Sequence, residues 1–377
     1  MNLEILNTSI REFRMLEKNI YVSIPICILI ALNILGCGSS SNGTPNNDNK
    51  TLNETPPTTE QKLQTALELI DTDVDFTLLI EANNGTTFTH RRGDSSENTI
   101  YRSASTSKIV TSAVILFLVE KDIISLTDRP QDYLDFWPED GNHGIIELHH
   151  LLSFTSGLSE EPICIHLANA DFENCVESIL ENNVSIPVPG ETFYYTGTHL
   201  QVAGLMAVHA SGLENWEQVF DFFKAETQLF PSATYDLPSA TNPRLAGGMH
   251  WQASEYVVFL RALYRQQFLS PVLINAMTGD QTSEAQIVFS PVAEGPLALD
   301  WHYGYGLWIE CPSKPFNCAD RKRVSSAGAY GAYPFIDFEH QYFGILAREG
   351  SLSSGHEGYS VWEQVENELA EWAVENQ

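Results

Sequence analysis

Ser105 and Lys108 stand three residues apart in the run "RSASTSK", which spans 102 to 108. A serine hydroxyl is a weak nucleophile at neutral pH and needs a nearby base to take its proton. Ile109, Val110, Ala113, Val114, Leu116 and Phe117 follow, and their spacing predicts a helix opening over 101–108. On a helix, residues three apart share a face, so an amine would lie beside a hydroxyl. A serine at a helix N-terminus also sits where free backbone N–H groups and the helix dipole favour developing negative charge. The other lysines, Lys18, Lys50, Lys62, Lys121, Lys224, Lys314 and Lys322, lack a serine three positions earlier. By itself the pair also fits a solvated helix start capped by one of its serines.

The surrounding stretches narrow the choice. "YRSASTSKIVTSAVILFLVEKDIISLTD", "ELHHLLSFTSGL", "PGETFYYTGTHLQVAGLMAVHASG", "RLAGGMHWQASEYVVFLRALY" and "SSAGAYGAYPFIDF" occur in that order. Over residues 75 to 350 they resemble the serine β-lactamase and penicillin-binding protein superfamily, in particular the class C β-lactamase-like esterases and peptidases, whose S-x-x-K motif carries the nucleophile. The resemblance implies that Ser105 is acylated, that Lys108 is its partner and that Tyr195 is the second base, with Tyr194 the competing candidate. A phenol titrates near ~10 and would need Lys108 close by to act at neutral pH. The resemblance further implies an oxyanion hole from the backbone N–H groups of Ser105 and Ala329, and a substrate strand at Ser326, Ala327 and Gly328.

Two positions depart from the family pattern. Gly197 stands where an asparagine is usual, and Ser326 where a lysine or histidine is usual. The asparagine ordinarily bonds a substrate amide and the cation ordinarily helps hold a substrate carboxylate. Their loss favours an ester or amide substrate without that carboxylate over a β-lactam. Phe154 likewise replaces the usual second histidine of its signature. The implied activity is a serine hydrolase working through an acyl-enzyme on a small ester or amide, or on a peptidoglycan-like substrate, with no cofactor. The alternatives are a catalytically degenerate ligand- or penicillin-binding protein of the cell envelope, a D-alanyl-D-alanine carboxypeptidase, or a β-lactamase proper.

The elements that must position these residues are legible in outline. A helix from Gln61 to Ile70 precedes two β-rich runs around Asn83-Asn84-Gly85, a hairpin signal. Residues 101 to 280 read mainly as helices broken by Pro and Gly loops, then strand-like segments and a closing amphipathic helix follow. The expected fold is α/β of the α+β kind: an antiparallel sheet flanked by N- and C-terminal helices plus a helical lobe, with the cleft between lobes as the default site. The sheet lobe is expected over about 61–100 and 300–377, and the helical lobe over about 101–299, within one domain from 61 to 377.

Ahead of that domain, Arg11, Arg14 and Lys18 precede an apolar stretch, Ile20 to Leu35, ending in Ile34-Leu35-Gly36-Cys37. Residues 1–36 read as an export signal, and the last four residues resemble a lipobox in which Cys37 is lipidated; an uncleaved N-terminal anchor is the other reading. Residues 37–60 are polar and rich in Ser, Asn, Thr and Pro, the composition of a disordered linker. The protein is therefore expected in the bacterial cell envelope, periplasmic or at the surface, touching a membrane only through its lipid. Export permits disulfides, and the spacings of 164 to 175 and 311 to 318 suggest the bridges Cys164–Cys175 and Cys311–Cys318 rather than the short C-x-x-C arms of zinc sites.

Composition excludes other classes. With 20 Lys and Arg against 49 Asp and Glu, the net charge is −29, the wrong sign for nucleic acid. No H-E-x-x-H, G-x-S-x-G, P-loop or dinucleotide fingerprint occurs. His149 and His150 are therefore expected in structural roles, and no metal is expected.

Overall fold

The computed structural model describes residues 56–318 and 323–377. The expected signal segment 1–36, the lipidation site Cys37 and nearly all of the linker lie outside the described residues. The first helix, α1 (Thr59–Leu69), begins inside the span read as linker. Thr58 and Gln61 exchange side-chain-to-backbone hydrogen bonds in a capping box, which satisfies two donors at the helix start and sets it there.

In chain order the main elements are α1, β1 (Phe76–Ala82), β2 (Thr87–Arg92), α2 (Ser107–Glu120), α3 (Thr198–Ser211), α4 (Ala253–Tyr264), β3 (His302–Tyr303), β4 (Trp308–Glu310), β5 (Arg323–Ser325), β6 (Tyr333–Asp337), β7 (Tyr342–Arg348), α5 (Glu357–Gln364) and α6 (Glu366–Glu375). The seven strands form one antiparallel sheet in the order β3-β4-β5-β6-β7-β1-β2. Its central pairing, β1 with β7, joins strands from the two ends of the chain, Phe76 opposite Arg348 through Ala82 opposite Tyr342. The β1–β2 hairpin turns at Asn83-Asn84-Gly85, where Gly85 takes φ +91° and its N–H donates to the Ala82 carbonyl.

Every residue of β1, β6 and β7 is buried, so both faces of the sheet are covered. Tyr264 of α4 packs on Phe343 from one side, while Trp362 of α5 packs on Tyr333 and Phe335 from the other. Residues on one strand alternate between faces, and Phe343 pairs with Ile336 rather than with Phe335, which places the two contacts on opposite sides. Buried Glu81 of β1 is held by Arg261 of α4 and by Arg265, a paired charge where an unpaired one would be costly.

Helix α2 is buried almost all round, from Ser107 to Leu118, and packs against α3 and the helix Trp216–Thr227; α3 in turn packs against the helix Phe172–Asn182. The span read as mainly helical also holds short strands, including Ile100–Arg102, Thr192–Tyr194, Met249–Gln252 and Gln286–Phe289. The first pairs with the third, Tyr101 opposite Trp251. That pairing corrects the expected helix start, because residues 100–102 are strand and α2 begins only at Ser107. The disulfides Cys164–Cys175 and Cys311–Cys318 are both present, which points to an oxidising, extracytoplasmic compartment. No helix among the described residues is long and apolar enough to cross a membrane.

Candidate active site

Between the strand Ile100–Arg102 and α2 the chain makes a single 3-10 turn, Ala104–Thr106, entered through Ala104 at φ +45°. Ser105 lies on this turn and not on the α-helix itself. Its neighbours are consumed by local structure. Ser103 and Ser107 are fully buried; Ser107 donates to the Ser103 hydroxyl, which in turn lies 2.6 Å from the Thr106 hydroxyl. Trp251 Nε1 donates to Thr106 Oγ1 and the Tyr256 hydroxyl donates to the Thr106 carbonyl. Of the serines in the run, Ser105 is the one that opens onto cavities.

Lys108, on the first turn of α2, points back to it. Its Nζ lies 2.9 Å from Ser105 Oγ and donates to the Ala246 carbonyl at 2.8 Å. Only 4% of the residue is exposed. Burial penalises the ammonium and, with a smaller contribution from Arg244, lowers the lysine pKa to about 7, against an opposing pull from Glu161. A lysine with that pKa is neutral often enough at neutral pH to accept a proton.

Tyr195 is the tyrosine that reaches Ser105, and its hydroxyl interacts with the serine side chain. The ring is fixed by stacking on Trp308 at 5.0 Å and by an edge contact with Tyr303 at 5.9 Å. Behind it, fully buried Phe154 stacks on His199 at 4.8 Å. His199 receives the Ser156 hydroxyl on Nδ1 and donates from Nε2 to the Tyr194 carbonyl; burial lowers its pKa to about 4, so it is a neutral brace. Tyr194 itself lies against Phe289. The expectation that Lys108 would lower the Tyr195 pKa is corrected. Lys108 Nζ sits over the ring face, 4.7 Å from its centroid, and burial pushes the phenol well above its ordinary value despite the bond to Ser105. That direction favours the protonated phenol.

The third segment forms the opposite wall. Ala327, Gly328 and Ala329 line the cavity next to Ser105. A Cβ on Gly328 would come within 2.8 Å of the Ser103 carbonyl, so only glycine lets this strand end approach the nucleophile turn. Ser326 does not face the cavity. It is buried, and its hydroxyl donates to the Ser105 carbonyl at 3.1 Å; the expected substrate contact of this side chain is corrected to a backbone clamp behind Ser105.

Two cavities meet at Ser105, Ala329 and Leu352. One, of about 300 Å³, is walled by Val292, Leu297, Trp301, Trp308 and Tyr359. The other, of about 160 Å³, has the charged residues Lys108, Glu161 and Arg244 in its wall together with Gly197. Glu161 and Arg244 were not singled out in the sequence, although Arg244 opens the quoted stretch "RLAGGMHWQASEYVVFLRALY"; only the fold brings them to the serine. His149 bonds Glu147, and His150 Nδ1 accepts the Glu147 N–H, so both rings are engaged in local hydrogen bonds. No group of residues suited to hold a metal ion occurs among the described residues.

A family model described as Beta-lactamase matches residues 78–351. The chain belongs to the beta-lactamase family. No curated protein sequence matches it. Among solved structures, a Bacteroides dorei protein assigned to the beta-lactamases is 26% identical, covers 78% of this chain and 92% of its own, and superposes with a TM-score of 0.65. EstCE1, a hydrolase with promiscuous acyltransferase activity, is 16% identical over 84% of this chain and 97% of its own, with a TM-score of 0.65. The D-amino acid amidase of Ochrobactrum anthropi is 16% identical over 81% of this chain and 99% of its own, with a TM-score of 0.60. The last two share the beta-lactamase fold, and the fold alone is what such a likeness shows. Within that family frame, Ser105 and Lys108 hold the S-x-x-K positions.

Proposed function

We propose that this beta-lactamase family member is a serine hydrolase that cleaves an ester or amide with an apolar substituent through an acyl-enzyme on Ser105. The observation that carries this reading is the buried Lys108 amine 2.9 Å from Ser105 Oγ, with its pKa lowered to about 7, where the two cavities meet.

Neutral Lys108 takes the Ser105 proton as Oγ bonds the scissile carbonyl carbon. The backbone N–H groups of Ser105 and Ala329 hold the resulting oxyanion, a contribution of about 3 kcal/mol per donor in comparable sites. Collapse breaks the bond to the leaving alkoxide or amine, which receives the proton from Lys108 by way of the Tyr195 hydroxyl. Tyr195 gives one proton as it gains another, so no phenolate accumulates. Water then attacks the acyl-Ser105 carbonyl, the proton path runs in reverse, and the acid product leaves with Ser105 restored. The aromatic walls of the larger cavity favour an apolar acyl or alcohol group. The absence of a third-motif cation favours neutral esters over penicillins and D-alanyl dipeptides. The reading extends to an exported domain tethered by lipid at Cys37 through the polar linker.

The test is labelling with a fluorophosphonate followed by peptide mapping. The label is expected on Ser105, to vanish in Ser105→Ala and to fall severely in Lys108→Ala. In Tyr195→Phe turnover of a short-chain neutral ester should drop by ~10²- to 10⁴-fold with the fold intact. Folded protein that resists the probe at Ser105 would point instead to a cell-envelope binding protein that keeps the cleft for recognition.

A further inference from the structure

The smaller cavity explains why residue 197 is glycine. Gly197 precedes α3, and its N–H donates to Glu161 Oε2 at 2.8 Å; the Thr196 hydroxyl donates to the same oxygen at 2.8 Å. A Cβ built on Gly197 would meet that oxygen at 3.0 Å and Ala246 Cβ at 3.3 Å. The Glu161 carboxylate thus occupies the direction in which a side chain at 197 would leave the backbone. It is held from its other oxygen too, since His166 Nε2 lies 2.9 Å from Glu161 Oε1 and Arg244 Nη1 lies 3.1 Å from His166 Nδ1. Arg244 can only donate, so His166 accepts on Nδ1 and donates from Nε2 to the carboxylate.

We propose that Glu161 is a positioning residue for Lys108, filling with a carboxylate the slot that a residue-197 side chain would otherwise take beside the nucleophile. This inference rests on the serine hydrolase reading. The charged and titratable groups around the slot are Lys108 from α2, His166 and Glu161 from the loop that carries Cys164, His199 from α3, Arg244 from the segment before α4, and Tyr195. Burial works against the Glu161 carboxylate, yet the Gly197 N–H, the Thr196 hydroxyl, His166 and Lys108 together hold its pKa below the ordinary range. An anion fixed there favours the ammonium form of Lys108 and offsets part of the opposing effects of burial and Arg244. The carboxylate therefore sets where the base becomes available on the pH scale.

The sign follows directly. Removing the negative charge makes the Lys108 ammonium easier to deprotonate, so the neutral base appears at lower pH. The experiment measures the pH dependence of Ser105 acylation by a fluorophosphonate in wild type and Glu161→Gln, which keeps shape while losing charge. The acid limb should move to lower pH by about one unit. A second arm uses Glu161→Ala, Gly197→Asn and the double variant. Each single change should slow acylation by tenfold or more, one by emptying the slot and the other by overfilling it, and the double should recover most of the loss. Melting curves on each variant report folding. An acid limb that stays in place in Glu161→Gln, or single effects that simply add in the double, overturns the role of Glu161 while the hydrolase reading stands. Wild-type protein that never labels at Ser105 overturns the hydrolase reading and this one with it.

Discussion

Burying the Lys108 amine beside Ser105 costs the fold stability. The folded-state pKa of about 7 lies below the ordinary lysine value of 10.5. Between those values the unfolded chain binds more protons than the folded one, so stability rises with pH across the window, by about 1.4 kcal/mol per pH unit for a single fully coupled site. Below about 7 both states hold the proton and the whole penalty is in force. Lys108→Met should therefore abolish acylation while raising the melting temperature, with a larger gain at pH 6 than at pH 9; paired thermal melts at the two values check this. An equal gain at both would mean that Lys108 is not the group titrating in the folded state. Ser326 offers the converse case. A lysine placed there to restore a carboxylate grip would have to enter a buried position and displace the hydroxyl from the Ser105 carbonyl. Ser326→Lys is accordingly expected to lower the melting temperature and the labelling rate together, without improved turnover of carboxylate-bearing substrates, a comparison made by steady-state kinetics on matched neutral and anionic esters.

At the scale of elements, Ser105 is placed by a turn clamped from three directions. Thr106 is gripped by Trp251 and Tyr256, the Ser105 carbonyl takes the Ser326 hydroxyl, and Gly328 lies close against the Ser103 carbonyl. Adding one methyl at Gly328 should push the substrate strand off this turn. Gly328→Ala is expected to cost about 1–3 kcal/mol of stability and at least tenfold in acylation, read by denaturant unfolding and probe labelling; wild-type values in both would refute the close approach. These elements also show what the sequence disclosed. The Asn83–Gly85 hairpin and the two disulfides were legible because each is local, fixed by turn residues or a short spacing; α1 was legible as a helix, while its start was missed because Thr58, which caps it together with Gln61, was read as linker. The Ser105–Lys108 pair was legible for the same reason. The 3-10 turn was not, because Tyr101 is drawn into strand pairing with Trp251, 150 positions away, and that long-range contact overrides the helical pattern. Glu161 stayed hidden because nothing near it in the chain marks it, and its partners Thr196 and Gly197 arrive through the packing of α3. The direction of the Tyr195 pKa was misjudged because spacing brings a cation near but does not say that it lies over the ring face.

Taken as a whole molecule, the domain closes its sheet by pairing β1 with β7, and residues Pro56–Gln377 form one compact unit. Among the described residues, the buried core is drawn from Thr59 onward. The proposed tether at Cys37 can be tested separately from the site. If Cys37 carries lipid, Cys37→Ala should leave the protein in the soluble fraction, or halt its processing. A chain begun at Pro56 and exported by an unrelated signal should fold, form Cys164–Cys175 and Cys311–Cys318, and label at Ser105 at the full-length rate. Membrane fractionation, non-reducing peptide maps and probe kinetics on the two forms separate the contributions. Unchanged membrane association and processing in Cys37→Ala would reject the lipid tether and favour an uncleaved anchor. Slower labelling in the shortened chain would instead show that the polar linker contributes to the cleft.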